Sequence, residues 1–237
     1  GLGNSVGMAI AGKWLAATYD RPDFELFGFN TYSICSDGDV MEGIGCEAAS
    51  LAGHLKLSNL CWIYDDNEIT IEGRTELAFS EDVPARFESL GWQVITVADA
   101  NDMASLDAAY GKFLETEDRP TLIVLKSIIG FGAPNKQDTS GAHGSPLGEE
   151  EIALAKESYG WEHEKFAVPS EAADDFRAKI GGRGGSAHAQ WTEKYAAYAE
   201  AFPAEFKELE TLFAGGLPEG WTDSIPEFEA DPKGMAT

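Results

Sequence analysis

Apolar residues recur along this chain in two rhythms. Short unbroken runs at Tyr32 to Cys35, Leu60 to Asp65, Trp92 to Val97 and Thr121 to Lys126 have the length and β-branched content of strands. Between them, apolar residues stand three and four apart, as on one face of a helix. Gly1 to Tyr19 reads as a glycine-containing turn running into a helix that stops at Asp20-Arg21-Pro22. A helix is expected from about Met41 to Lys56, with Ile44, Ala48, Leu51, Ala52 and Leu55 at helical spacing. Ser80 is expected to cap a short helix carrying Glu81 and Asp82 in its first turn. Asp102 to Thr116 has Leu106, Tyr110, Phe113 and Leu114 on its inner side, and a further helix starts after Gly148 and ends at Gly160. The run Thr121 to Lys126 is apolar on both faces, as a buried parallel strand must be. Strands alternating with helices predict an α/β fold: a doubly wound, mostly parallel sheet with helices on both faces.

The character changes after about residue 170. Residues 1–170 are expected to form the α/β domain, and 171–237 a helical extension and linker arm. Gly181-Gly182-Arg183-Gly184-Gly185 reads as a flexible joint. Ser186 to Phe202 and Ala204 to Phe213 read as amphipathic helices separated by Pro203, with Trp191, Tyr195, Tyr198 and Phe202 packing at helical spacing. The tail from Leu217 to Thr237 is aperiodic and reads as a wrapping arm or linker. Residue 1 is Gly and helical periodicity begins within a few residues, so the chain is expected to enter in mid-element.

Composition narrows the function classes. The 237 residues suffice for a sizeable core, and a hydrophobic content of 43% with 24% charged residues is that of a soluble globular protein. The formal charge of −24 argues against a nucleic-acid partner, which requires basic stripes, and against adsorption to anionic membrane. No apolar run is long enough to span a membrane or to serve as a signal peptide. The three cysteines, Cys35, Cys46 and Cys61, sit in apolar runs without C-x-x-C spacing and read as reduced core thiols. The cytoplasm is the expected compartment.

Ser36 to Gly73 concentrates the candidate chemistry. A helix there covers ~24 Å at ~1.5 Å per residue. The strand after it returns ~20 Å at ~3.3 Å per residue. Out along a helix and back along a parallel strand places Asp37 and Asn67 at the same edge of the sheet. This is the carboxyl edge, where open α/β sheets bind ligands. A carboxylate, an amide oxygen and a Gly turn suit a divalent cation and a phosphate. Gly1 and Gly3 ahead of a helix suit an anion as well. The Gly-rich segment Ser127 to Gly148 leaves a strand at that same edge and carries His143 between small residues. Glu42 and Glu47 interrupt the apolar pattern of their helix. No G-x-x-x-x-G-K-[ST] loop occurs, and no G-x-G-x-x-G follows the first strand, which argues against a generic nucleotide site.

These residues resemble the transketolase family. Its thiamine diphosphate fingerprint, Gly-Asp-Gly followed by a distant Asn, stands here as Ser36-Asp37-Gly38 and Asn67. More specific are D-x-M-E-G from Asp39, E-A-A-S-L-A-G-H-L-K-L from Glu47, Y-D-D-N-E-I-T-I-E-G from Tyr64, and G-F-G-A-P-N-K with H-G-S-P-L-G from Gly130 and His143. The resemblance runs the length of the chain, more weakly after about Ser170, and corresponds to the pyrophosphate-binding domain. It implies that Asp37, Asn67 and the carbonyl of Ile69 ligate Mg²⁺ or Ca²⁺. It implies that Gly38 gives the diphosphate close approach, and that His143 reaches diphosphate and reacting carbon. Ile69 would also wall the thiazolium. Ser36 replaces the more usual Gly, and a φ above zero there would be strained. Glu42 and Glu47 would link two cofactor sites across a dimer interface, facing a partner.

The implied activity is transfer of a two-carbon ketol unit between sugar phosphates, with dihydroxyacetone synthase or another transketolase-like enzyme as the nearest alternative. A binding or assembly subunit without catalysis is the alternative of another class. The resemblance places the activating glutamate in a pyrimidine-binding domain or subunit, in a homodimer or heterotetramer. This chain by itself is therefore expected to bind cofactor poorly and not to turn over.

Overall fold

A computed structural model describes residues 1–230 and 232–234. The chain forms two compact units: residues 1–18 with 27–170, and residues 19–26 with the segment from 171 onward.

The first unit is built on a four-stranded sheet of β1 (Thr31–Ser36), β2 (Leu60–Asp66), β3 (Gln93–Val97) and β4 (Thr121–Lys126). The strands are parallel and lie in the order β1-β2-β4-β3. The central strands β2 and β4 are the ones apolar on both faces, because helices cover both. Strand parity splits the core in two. Leu60, Trp62, Tyr64, Leu122 and Val124 face one cluster, while Cys61, Ile63 and Ile123 face another with Val97.

The first cluster is closed by α1 (Leu2–Tyr19), α3 (Gly43–His54) and α4 (Val83–Ser89), through Val6, Ala49 and Phe87 among others. Trp62 is wholly buried between them. Its indole N–H donates to Ser5 Oγ at 2.8 Å, and its ring lies 4.7 Å from that of Trp92 and 5.8 Å from that of Phe87. The second cluster is closed by α5 (Met103–Leu114), through Ala109 and Phe113.

Several elements depart from the sequence reading. The anion-binding turn expected at Gly1 and Gly3 is absent, since Gly3 lies inside α1. The helix expected from Met41 is two helices. A short α2 (Asp37–Met41) follows β1 directly, and extended backbone at Glu42, φ −69° and ψ 134°, separates it from α3. The inner face of α3 is Gly45, Ala48, Ala49 and Ala52. Ile44, Leu51 and Leu55 point outward, 64%, 46% and 44% exposed.

The reason is proximity. A Cβ on Gly53 would stand 1.9 Å from the Leu90 carbonyl oxygen, and the Trp92 indole donates to Ala49 O at 2.9 Å. Only small side chains fit that approach. Likewise Ala109 faces the core of α5 and Leu114 is 63% exposed. α4 begins later than expected and is capped by Asp82, which accepts from the Ala85 N–H at 3.0 Å, rather than by Ser80. Cys35 and Cys61 are buried thiols, each pushed up to about 12 mainly by burial, whereas Cys46 is only half-buried.

In the second unit, α7 (Ser170–Phe176) passes through a π-helical turn (Arg177–Gly181) into α8 (Gly182–Ala201), and α9 (Pro203–Phe213) follows. The glycine-rich joint is thus helical. Gly181 and Gly182 have φ −63° and −64°, and the good helix formers around them carry the ladder through. Tyr198 and Leu209 are wholly buried there. The Tyr198 hydroxyl donates to Tyr19 O at 2.8 Å, and its ring meets Phe24 edge-on at 5.7 Å. Trp191 stacks on Tyr195 at 4.7 Å. After α9 the described residues contain turns only, and the tail's Asp231 and 235–237 lie outside them. Among the described residues no helix is long and apolar enough to cross a membrane.

Candidate functional site

The carboxyl ends of β1 and β2 are in register, Ser36 opposite Asp65. The chain turns from β1 straight into α2, which starts on Asp37. Ser36 makes this turn with extended backbone, φ −127°, so the strain expected of a non-glycine residue does not arise. Its N–H donates to Asp39 Oδ2 at 2.9 Å.

Asp37 is 2% exposed. Its Oδ1 accepts a 2.6 Å hydrogen bond from the Tyr64 hydroxyl, while its Oδ2 is buried without a partner among the described residues. Burial pushes the Asp37 carboxyl above its ordinary range; the Tyr64 hydrogen bond and, more weakly, the Glu68 main chain oppose this, while the nearby Asp66 and Asp65 add to it. A buried carboxylate oxygen with no donor costs about 1–3 kcal/mol or more. A cation placed there would offset that cost.

One residue past β2, Asn67 is buried and forms an Asx turn: its Oδ1 accepts from the Ile69 N–H at 3.0 Å. Glu68 between them takes φ 60°, a left-handed conformation uncommon for a non-glycine residue. The amide's other end is fixed too, since Asn67 Nδ2 donates to Asp65 Oδ2 at 3.2 Å. The oxygen therefore keeps one acceptor lone pair. Ile69 is buried and pairs with Arg74 across a tight hairpin.

The carboxylates around this edge are not equivalent. Lys126 Nζ lies 2.5 Å from Asp66 Oδ2 and 3.7 Å from Glu68 Oε1. Asp65 accepts from the Ser127 hydroxyl through its remaining oxygen. Asp37 has no cationic partner among the described residues. It lines a cavity of about 510 Å³ together with Tyr64, Asp66, Glu68, Glu76 and Lys126. Its walls are mostly acidic and disfavour a bare anion, and Gly38, Asn67, Ile69 and His143 are not among the residues that line it. Among the described residues no three His, Cys, Asp or Glu side chains converge on a metal cage. A cation at Asp37 would take its other ligands from the Asn67 amide, main-chain carbonyls, water and the anion itself, a hard oxygen set suited to Mg²⁺ or Ca²⁺. Gly38 follows Asp37 with open space beside it: an added Cβ would meet nothing within 4 Å.

The segment after β4 is tied to the same edge. Ser127 N–H donates to Asp66 O at 3.2 Å, and Arg74 Nη2 lies 2.5 Å from Asp138 Oδ2. His143 follows a 3-10 turn (Ser140–Ala142), half-buried, with Nδ1 lacking a partner among the described residues. That turn packs so closely that a Cβ on Gly130, at φ 64°, would come within 2.9 Å of the Ala142 methyl. Glu42 and Glu47 stand apart from this cluster. Both are solvent-exposed, Glu42 at the N-cap of α3 and Glu47 on the helix that presents Ile44 and Leu51 outward. Tyr64, Asp65, Lys126 and Ser127 escaped the sequence reading. Strand parity alone could have flagged Tyr64, which shares the sheet face of the buried Leu60 and Trp62.

The family model described as transketolase, thiamine diphosphate binding domain, matches residues 1–218. The transketolase of Geobacillus stearothermophilus is 47% identical over 238 residues, which is 100% of this chain and 36% of that protein. A transketolase structure from Leishmania mexicana superposes with a TM-score of 0.90 at 39% identity, covering 97% of this chain and 34% of that one. One from Pichia stipitis, in complex with sedoheptulose-7-phosphate, gives 0.89 at 41% identity, covering 95% and 33%. The chain thus spans about a third of the length of these relatives. It belongs to the transketolase family.

Proposed function

We propose that this chain supplies the metal- and diphosphate-binding half of an active site that transfers a two-carbon ketol unit from a ketose phosphate to an aldose phosphate. The observation that carries the reading is the buried Asp37 Oδ2, left without a donor beside the Asn67 turn at the carboxyl edge. Asp37, Asn67 and the Ile69 carbonyl would hold Mg²⁺ or Ca²⁺, which would supply the positive charge that lets the acidic edge accept the diphosphate of thiamine diphosphate. Gly38 lets the backbone approach the phosphate oxygens. When bound, the thiazolium supplies an electron sink for cleavage of the ketose carbon–carbon bond. His143 would donate a hydrogen bond to a diphosphate oxygen and reach the reacting carbon, and Ile69 would wall the ring against water.

The remaining half of the site comes from a pyrimidine-binding domain or subunit, in a homodimer or heterotetramer. Glu42 and Glu47, with the outward Ile44 and Leu51, face that partner. Alone, this chain binds cofactor weakly and does not turn over. The test is Mg²⁺-dependent thiamine diphosphate binding by the complete enzyme, wild type against Asp37→Ala. Loss of binding supports the assignment, and unchanged binding overturns it. An assay on this chain alone checks the division of labour, which robust ketol transfer would refute.

A further inference from the structure

The His143 ring has no bond to its buried Nδ1 among the described residues, so the main chain sets where it stands. That main chain is a closed turn. The Ala142 and His143 N–H groups donate to Thr139 O at 3.1 Å and Ser140 O at 3.0 Å. Asp138 sits at the root of the turn, one residue before its N-cap Thr139, with a left-handed φ of 59°. Its N–H donates to Ile129 O at 2.9 Å. Across the edge, Arg74 pairs with Ile69 in the hairpin, and Glu68 beside Ile69 is also left-handed. The Arg74 guanidinium spans the two segments. Nη2 lies 2.5 Å from Asp138 Oδ2, and Nη1 lies 4.0 Å from Glu68 Oε2.

We infer that Arg74 is a positioning residue that sets the His143 turn against the Ile69 hairpin. The ties from Ser127 to Asp65 and Asp66 hold the segment where it leaves β4. Arg74 holds it where the turn begins, and the internally bonded stretch from Thr139 onward carries that fix to His143. Ile69 and His143 thus keep their spacing through one guanidinium–carboxylate contact. Both partners are about half-exposed, 43% and 47%, so the pair adds little to global stability. Its loss therefore leaves the fold intact and acts locally. An exposed pair of this kind is worth about 1.5- to fivefold in a local equilibrium, and salt screens it.

The inference rests on the proposed role of His143, and the experiment separates the two. The complete enzyme is compared at low salt as wild type, Arg74→Gln, Asp138→Asn, the two combined, Arg74→Lys and His143→Ala. Without cofactor, amide exchange at Ala142 and His143 is expected to quicken by about 1.5- to fivefold in Arg74→Gln and in Asp138→Asn. The combined variant should exchange no faster than either, since both remove the same contact. At saturating thiamine diphosphate and Mg²⁺, kcat/KM for ketol transfer should fall by a similar factor. Arg74→Lys keeps the charge and should stay close to wild type in both measurements. Unchanged exchange in Arg74→Gln, additive effects in the combined variant, or a lysine as impaired as the glutamine overturns the pairing. Faster exchange with unchanged kcat/KM overturns the positioning role, provided that His143→Ala is impaired. A His143→Ala enzyme as active as wild type overturns the role of His143 and this inference with it.

Discussion

The Ser36 hydroxyl donates to the main-chain carbonyl of Asp65, 3.2 Å away, across the last rung of the β1–β2 ladder. The serine therefore ties the turn into Asp37 to the strand that carries Tyr64. Its φ of −127° is ordinary extended backbone, so glycine offers no relief of strain. Ser36→Gly is expected to destabilise the protein by about 1 kcal/mol, from one lost hydrogen bond and a more flexible unfolded chain. Mg²⁺-dependent thiamine diphosphate binding should change less than about twofold, since a net hydrogen bond of this kind is worth only about 1 kcal/mol. Urea unfolding and a binding titration check both, and a Ser36→Gly protein more stable than the wild type would contradict the account.

Gly53 sits where α3 comes closest to the chain leaving α4. Its added Cβ would fall 1.9 Å from the Leu90 carbonyl oxygen, a backbone atom that cannot swing aside. Gly53→Ala should raise helix propensity and still cost at least about 1–3 kcal/mol, because overpacking outweighs it. A denaturation midpoint equal to or above that of the wild type would show that the contact can relax.

Gly38 gives the opposite pairing of stability and binding. It lies in α2, at no left-handed φ, and an alanine there would touch nothing within 4 Å. Gly38→Ala should fold normally and gain up to about 1 kcal/mol from the lower entropy of the unfolded chain. Thiamine diphosphate affinity should nevertheless fall, because the methyl group occupies the space through which the phosphate approaches. Calorimetric titration of the complete enzyme decides it. Unimpaired affinity would move the diphosphate away from Gly38.

These contrasts also show what a sequence can and cannot tell. Runs such as Leu60 to Asp65 and Thr121 to Lys126 carry their environment in their own composition, so the buried parallel strands were legible. The helix-then-strand return likewise placed Asp37 and Asn67 at one edge without any contact being known. The face of α3 was not legible. Hydropathy points Ile44, Leu51 and Leu55 inward, but the distance of approach, set by Leu90 and Trp92 some forty residues on, admits only Ala and Gly. The break at Glu42 costs a single residue of irregular backbone and leaves no mark on an apolar period. Asp82 and Ser80 are equally good cap residues, and only the position of Pro84 in the first turn distinguishes them. Tyr64 is one more aromatic in a strand until its partner is known.

Glu151, in the first turn of α6 (Glu149–Tyr159), holds the segment that carries His143. Its two carboxylate oxygens accept from the main-chain and side-chain nitrogens of Asn135, at 2.8 and 2.9 Å. The Asn135 side-chain hydrogen bond, then the main-chain one, holds the Glu151 carboxyl below its ordinary value of 4.5. A depressed carboxylate pKa means that the unfolded chain binds the proton first as pH falls. The stabilisation is therefore complete above about pH 4.5, the ordinary glutamate value, and is lost as pH drops through the lower folded value. Glu151→Gln keeps the shape and cannot titrate. Its stability deficit relative to wild type should be constant from pH 7 to 5 and shrink on further acidification. Urea midpoints of the two proteins across that range measure the gap directly, while amide exchange at Asn135 reports whether the same proton loosens the His143 segment. A gap that does not vary with pH would show that Glu151 holds the loop by shape rather than by charge.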